Sequence, residues 1–322
     1  MAQPREAGPA SRRRRRPGLV DPASVAALIR SQRRTDVTFA ALGLMVLFVA
    51  VAMLLALVLD LAIAGAAWID ADFFSNYPSR RPARAGILSA WVGTSLVMVV
   101  TAVLALPLGV GAGIYLEEYA PKNWVTDIIE INVTNLAGVP SIIYGLLALG
   151  LFIQTFGMGE WVLVAGMVLA LLILPVVIVA TRESFRAIPQ EVREGAYALG
   201  ADQWQTVSMY LLPAARPGIL TGLIVGLARA IGETAPVITI GALTFIAFLP
   251  PSPVQGEFPY LNFDWLFAPF TLMPIQMFNW VSRPQEEFHQ IAAAAGVVLL
   301  VMTLLMNALA IYIRYRLRRA LR

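Results

Sequence analysis

An all-α membrane protein with six transmembrane helices is what this chain predicts, on three observations. Hydrophobic residues fill 58% of its 322 positions against 14% charged, and the mean hydropathy is +0.72, far more apolar surface than a soluble domain of this size would bury. Six segments are long and apolar enough to cross a hydrocarbon core, which takes about 20 helical residues. Lysine and arginine, finally, crowd alternate loops and both termini. The chain has no cysteine and one histidine, His289, so neither disulfides nor thiolate metal ligands contribute, and a single imidazole builds no metal site.

Residues 1–36 form a basic cytoplasmic tail with Arg12 to Arg16 set among Pro, Ala and Ser. Its apolar content is too low to pack, so it is expected to be disordered; anionic membrane lipid, not nucleic acid, is the partner its charge suits. The first transmembrane helix follows at 37–59. Its apolar core exceeds the roughly 7–15 residues of a signal-peptide core, so it reads as a retained span. After an extracytoplasmic loop at 60–88, five further spans fall at 89–115, 133–154, 161–180, 218–249 and 291–313, and a basic cytoplasmic tail occupies 314–322. Pro107, Pro140 and Pro175 lie inside spans two, three and four, where a kink needs no substrate to explain it.

Counting Lys and Arg gives nine before the first span, one in 116–132, four in 181–217 and five after the last, nineteen together. The alternate loops hold three in 60–88, none in 155–160 and one in 250–290. Nineteen against four puts both termini, and the loop at 181–217, in the cytoplasm. No hydrophilic stretch is long enough to close a soluble catalytic core. No internal repeat is visible either, which argues against an inverted-repeat secondary transporter.

The cytoplasmic loop reads TRESFRAIPQEVREGAYALGADQWQTVSMYLLPAARPG. Pro189 suits a first helical turn, Glu191 and Glu194 lie near its positive end, and Gly200 is placed to terminate it in the left-handed conformation. Asp202 then caps a second short helix that ends before Pro213. A helix, turn, helix across the membrane face is expected, with Val192, Ala196 and Leu199 along one side. Composition alone fits an interfacial amphipathic linker.

The spacing fits something more specific. Glu194-Gly195-Ala196, three residues, Gly200, nine residues and Tyr210-Leu211-Leu212-Pro213 resembles the EAA loop of ABC importer permeases, E-A-A-x3-G-x9-I-x-L-P, with Gly195 replacing the first Ala and Tyr210 the Ile. NLAGVPSIIYGL from Asn135, GIYLEEYAPKNW from Gly113, ARAIGETAP from Ala228 and LMPIQMFNWVSRPQEEFHQIAAAA from Leu272 are similar to the PstA-type permease of the phosphate-specific transport system. The likeness runs from about Ser89 to Arg314.

That resemblance implies a type I ABC importer permease (MetI-like) fold over 89–313, in the cell inner membrane. It also implies a coupling helix whose Glu194, Gly195, Ala196, Leu199, Gly200 and Pro213 dock on an ATPase. The implied cargo is inorganic phosphate, and the implied partners are a homologous PstC-type permease, a PstB-type ABC ATPase dimer carrying ATP and Mg, and an extracytoplasmic PstS-type phosphate-binding protein. The sequence has no G-x-x-x-x-G-K-[ST] phosphate loop, so the chain reads as a pore subunit without a cofactor of its own rather than an enzyme, with ATP hydrolysed by the partner. The sister PstC-type permease and molybdate or sulfate permeases remain alternatives, because a soluble binding protein makes most of the anion choice.

LARAIGETAPVITIGA, Leu227 to Ala242, places two opposite charges in an apolar run. With span five starting near Gly218, Arg229 lies eleven residues in, a rise of roughly 16 Å at 1.5 Å per residue, close to the bilayer midplane. A charge at that depth pairs with another or faces water. Arg229 and Glu233 at i and i+4 share a helix face and can simply neutralise each other. Alternatively, Arg229 offers its planar fork to phosphate oxygens while Glu233 keeps the site from becoming a trap. Gly232 and Pro236 bracket Glu233 and predict a local break, tolerated at this depth where backbone lines a cavity or is buried in protein. Thr234 is grouped with them as a pathway residue, although helix-to-helix hydrogen bonding is the plainer reading for Thr234, Thr239 and Tyr144. Arg182, at the end of span four, is a candidate gate contact or an ordinary positive-inside anchor. Glu117 and Glu118 read as a solvated boundary. A stand-alone ion-coupled transporter or a scaffold would tolerate the same charge pair; the coupling loop argues against the former.

Overall fold

Helix α1 (Pro22–Gly65) opens the computed structural model, which describes residues 22–242, 245–256 and 260–319. The chain divides into two units, one up to Leu59 and one from Asp60. The first is the greater part of α1. Residues 22–36, expected to be disordered, are helical: no Pro or Gly interrupts 23–42, so a helix nucleated in the apolar span propagates back to Pro22, which suits a first helical position. Arg12 to Arg16 lie outside the described residues.

The second unit runs through α2 (Ala71–Ser75), α3 (Leu88–Ile114), α4 (Trp124–Leu136), α5 (Ser141–Ala148), α6 (Val162–Arg186), α7 (Gln190–Ala198), α8 (Gln203–Gln205), α9 (Leu212–Ala230), α10 (Ala235–Thr239), α11 (Met273–Val281) and α12 (Glu286–Arg319). Wider π-helical turns follow α3 at Tyr115–Tyr119, α5 at Leu149–Thr155 and α8 at Thr206–Leu211. Among the described residues, five stretches are long and apolar enough to span a membrane: Asp36–Trp68, Leu88–Tyr119, Val162–Arg186, Gln203–Ala230 and Glu286–Arg316. A sixth is made if α4 and α5, bent by 106°, are taken as one.

The all-α, six-span expectation stands, with two segments redrawn. The third is not one helix over 133–154. Pro140 removes a backbone donor and disfavours helical geometry at Val139, so the chain turns between α4 and α5. The fifth is not helical over 218–249. It begins earlier, at Gln203, and stops at Ala230, where Gly232 and Pro236 interrupt it.

Helix α6 is the axis of this unit. It is apolar around its circumference, which demands cover on every side, and Val164, Val168, Leu172, Ile173 and Val177 are buried. Small residues on its neighbours let the backbones approach. A Cβ on Gly109 of α3 would lie 2.6 Å from Val177, and one on Gly113 2.6 Å from Thr181. On α9, Gly218 and Gly222 sit against Ser184 and Ala180, with no room for a Cβ, and Gly226 sits against Ile173. Gly222→Leu is therefore expected to force α9 off α6, at a cost of about 1–3 kcal/mol. A lowered thermal midpoint of the purified protein checks it, and an unchanged midpoint contradicts the close packing.

At the N-terminal end of α6, the Val162 amide donates to the Ala268 carbonyl at 3.1 Å; a separate apolar cluster joins α2, the start of α3, α11 and α12 through Phe73, Ile87, Met273, Trp280, Phe288 and Ile291. Arg283 stacks on the Phe288 ring at 4.3 Å and donates to the Ser79 carbonyl. Burial, followed by the nearby Arg80 charge, lowers its guanidinium pKa.

Candidate substrate pathway and coupling loop

Two helix breaks meet where the sequence places its intramembrane charges. Helix α9 ends at Ala230, and the next residues turn so that the Glu233 amide donates to the Ala230 carbonyl at 3.2 Å. The short α10 then starts, with Pro236 in its first turn, where a missing N–H costs nothing. It packs on α5: a Cβ on Gly145 would meet Pro236 and Thr239. The break between α4 and α5 faces it, and the Tyr144 hydroxyl donates to the Leu136 carbonyl at 2.8 Å.

Arg229 and Glu233 pair across this break, Nε to Oε1 at 3.4 Å. They do not share a helix face, as i,i+4 spacing suggests, because the helix stops between them; the turn at 231–234 brings them together instead. The pair is loose. Arg229 keeps 39% and Glu233 20% of its side chain exposed, and Arg229 Nη1 stands 3.5 Å from the Ala137 carbonyl at the end of α4. Helix carbonyl ends attract cations, so the guanidinium is held by partial charges while retaining free donors. Thr234 is half-buried at the start of α10 and makes no side-chain cap.

Arg182 lies on α6, buried, with 6% of its side chain exposed. It pairs with Glu130 of α4 at 2.5 Å and with Glu117 at 3.5 Å. Arg186, one turn on, reaches the same two carboxylates at 3.9 and 2.9 Å. A cavity of about 300 Å³ opens beside them, lined by Glu130, Thr134, Asn135, Arg182, Glu183 and Arg186 together with the apolar Ile131 and Val179. A plain surface anchor would not be buried among carboxylates. Nor is Glu117 a solvated boundary residue, since 16% of its side chain is exposed. Glu118 is likewise engaged: Arg193 of α7 donates to it at 2.7 Å, and the Gln203 side chain donates to its backbone carbonyl at 2.6 Å. The signal for this cluster lay in the complementary charges of two loops assigned to one membrane side, the acidic run after α3 and the arginines after span four.

The coupling loop follows its punctuation closely. Pro189 immediately precedes α7, and Gly200 ends it with φ +86°, the left-handed conformation expected. Asp202 and Gln205 form a reciprocal capping box, amide to carboxylate at 2.7 Å and amide to side-chain oxygen at 2.9 Å. The second helix, however, does not stop before Pro213. The π turn at Thr206–Leu211 hands the chain directly to α9, and Pro213 occupies its first turn.

Val192, Ala196 and Leu199 also fail to share a packed side. Ala196 is buried, whereas Val192 is exposed and Leu199, beyond the last turn of α7, is 81% exposed. Glu194, Gly195 and Gly200 are exposed too, and nothing lies within 4 Å of a Cβ on either glycine. Tyr197 and Leu199, two residues apart at the end of α7, are both exposed and leave an uncovered apolar knob there, the type of surface that marks a contact with another protein or lipid.

A model of the family described as the binding-protein-dependent transport system inner membrane component matches residues 105–322. The chain belongs to that family. This transport-system component is 30% identical over 261 residues to the probable ABC transporter permease protein YqgI of Bacillus subtilis (strain 168), covering 80% of this chain and 87% of the relative. It is 32% identical over 230 residues to the phosphate transport system permease protein PstA 1 of Mycobacterium tuberculosis (strain ATCC 25618 / H37Rv), covering 71% and 70%. A chain of the MetNI methionine ABC transporter, solved in inward-facing conformations, superposes with a TM-score of 0.54 at 16% identity, over 72% of this chain and 95% of that one. That likeness shows a shared fold. The component is thus a helical, multi-span inner-membrane permease of the type I ABC importer architecture.

Proposed function

We propose that this permease is the PstA-type subunit of an ATP-driven importer of inorganic phosphate, its termini and coupling loop cytoplasmic. The observation that carries the reading is Arg229, a guanidinium at the meeting of two helix breaks, paired loosely enough to present donors. Its planar fork suits two oxygens of a phosphate, and Glu233 at 3.4 Å keeps the anion from binding too tightly to leave. Glu233 also accepts a hydrogen bond from the P–OH that hydrogen phosphate carries and fully ionised sulfate lacks. Thr234 adds a hydroxyl beside them. The names of relatives such as PstA 1 support phosphate as the cargo, against molybdate, sulfate or a PstC-type role.

A motor is required, and the sequence holds no nucleotide-binding loop. The exposed knob around Leu199 and Gly200 fits the cleft of a PstB-type ATPase that binds ATP and Mg. A PstC-type permease completes the pore, and a PstS-type binding protein delivers phosphate from the other side. Arg182 contributes a gate contact toward the cytoplasm. Reconstitution of the four-component complex in proteoliposomes tests the assignment. ATP-dependent import of phosphate, with sulfate and molybdate excluded, is the expected result. Import of either other oxyanion without phosphate rejects it.

A further inference from the structure

Two neighbouring carboxylates at the end of α3 serve different masters. Glu118 belongs to the coupling loop: Arg193 of α7 donates to it through Nη2 at 2.7 Å and Nε at 3.3 Å, and Gln203 of α8 donates to its carbonyl. Arg193 is fixed in turn by the Ile188 and Phe185 carbonyls, at 2.9 and 3.0 Å. Glu117 belongs to the exit: its carboxylate holds Arg186 at 2.9 Å and Arg182 at 3.5 Å, and both arginines also face Glu130 of α4. The two residues are adjacent, their Cα atoms about 3.8 Å apart, inside the π turn Tyr115–Tyr119, which the Ala120 amide closes on the Tyr115 carbonyl at 2.7 Å. Such turns recur at functional sites. The consecutive side chains leave the backbone toward separate partners, Glu118 to Arg193 and Glu117 to Arg182 and Arg186; both carboxylates line a polar cavity of about 480 Å³, and the two arginines of the Glu117 side also line the cavity of about 300 Å³ beside α4.

We propose that Glu117 and Glu118 are positioning residues that transmit movement of the coupling loop to a clasp at the cytoplasmic exit. Glu118 follows α7 when the ATPase moves it. The rigid turn carries Glu117 along, and Glu117 resets Arg182 and Arg186 against Glu130. With the clasp closed, Glu130 occupies the donors of Arg182; with it displaced, the same donors face the exit cavity and accept the departing anion. The two ends of the relay are its best-buried pairs, Arg193 with Glu118 at 14% and 10% side-chain exposure and Arg182 with Glu117 at 6% and 16%, and such pairs hold position better than exposed ones.

The inference rests on the importer reading, and the test separates the two. In the reconstituted four-component complex, import and ATP hydrolysis are measured together for Glu118→Gln, Arg193→Gln and the double variant. Each single change is expected to lower phosphate imported per ATP at least tenfold, while hydrolysis stays within about twofold of wild type, and the double variant is no worse than either single. Import and hydrolysis falling in parallel, as loss of mere structural support would give, overturns the proposal. So does an unchanged ratio. Glu117→Gln keeps the Glu118 pair intact and carries the same expectation and the same refutations should Glu118→Gln fail to assemble. If the wild-type complex imports another oxyanion instead, the phosphate assignment falls and the ratio is read on that anion.

Discussion

Arg229→Ala is expected to cripple phosphate import by the assembled complex, lowering kcat/KM by roughly 10- to 100-fold. The size follows from the interaction lost, since a hydrogen bond to a charged partner contributes about 1.5–3 kcal/mol and each 1.4 kcal/mol is about tenfold. The substitution also leaves Glu233, with 20% of its side chain exposed, as an unbalanced anion in the path of an anion. Arg229→Lys retains the charge without the planar fork and is expected to recover part of the activity. Glu233→Gln should act in the opposite sense on binding, with KM and kcat falling together as the cation holds its cargo too long. Uptake kinetics after matched assembly decide the matter. Normal import by both Arg229 variants would mean the arginine only neutralises Glu233 and the α4 carbonyl end.

Replacing Gly200 by valine is expected to weaken ATPase association about tenfold or more. At φ +86° a β-branched residue is strained, by about 1–3 kcal/mol. The chain relieves that strain by changing the angle at which α7 leaves for α8, which moves Leu199 and Tyr197 out of register. Gly200→Asn is the control, because asparagine tolerates the left-handed conformation and should preserve the association. Retention of the ATPase on immobilised permease, measured by titration, reads the difference; equal retention by the valine variant contradicts docking through this knob.

Much of the fold was legible because its signals are local. Spans announce themselves by apolar length, Gly200 by the need for a left-handed terminator, Asp202 by capping chemistry, and the break around Glu233 by Gly232 and Pro236. What escaped was set by contacts between distant segments or by hydrogen-bond registers that leave no compositional mark. The π turn at Thr206–Leu211 cannot be told from α-helix by residue type, so Pro213 looked like a stop rather than a start. Val192 and Leu199 follow helical spacing, but α7 ends at Ala198, before that spacing can place Leu199. Arg182 looked like an anchor because Glu117 and Glu130, its partners, lie in a separate loop and helix. Arg229 and Glu233 stand out as charges in an apolar run, yet the helix expected to join them ends between them.

The glycine contacts between α6 and α9 have a mechanical consequence. Gly218 against Ser184 and Gly222 against Ala180 bring these two helices together with little compressible side chain between, and the coupling loop is the covalent bridge joining their ends. A push on the loop then reaches both helices as one lever arm, with no slack to absorb it. Arg182 rides on one limb and Arg229 on the other, so the separation of the two arginines is expected to stay constant through a transport cycle. What should vary is the distance of each from α4, from Glu130 at one end and from the Ala137 carbonyl at the other. Helix α4 would then be the stator against which the arm swings, and distance probes spanning α6 to α9 should stay silent while those spanning α4 to α6 report every stroke.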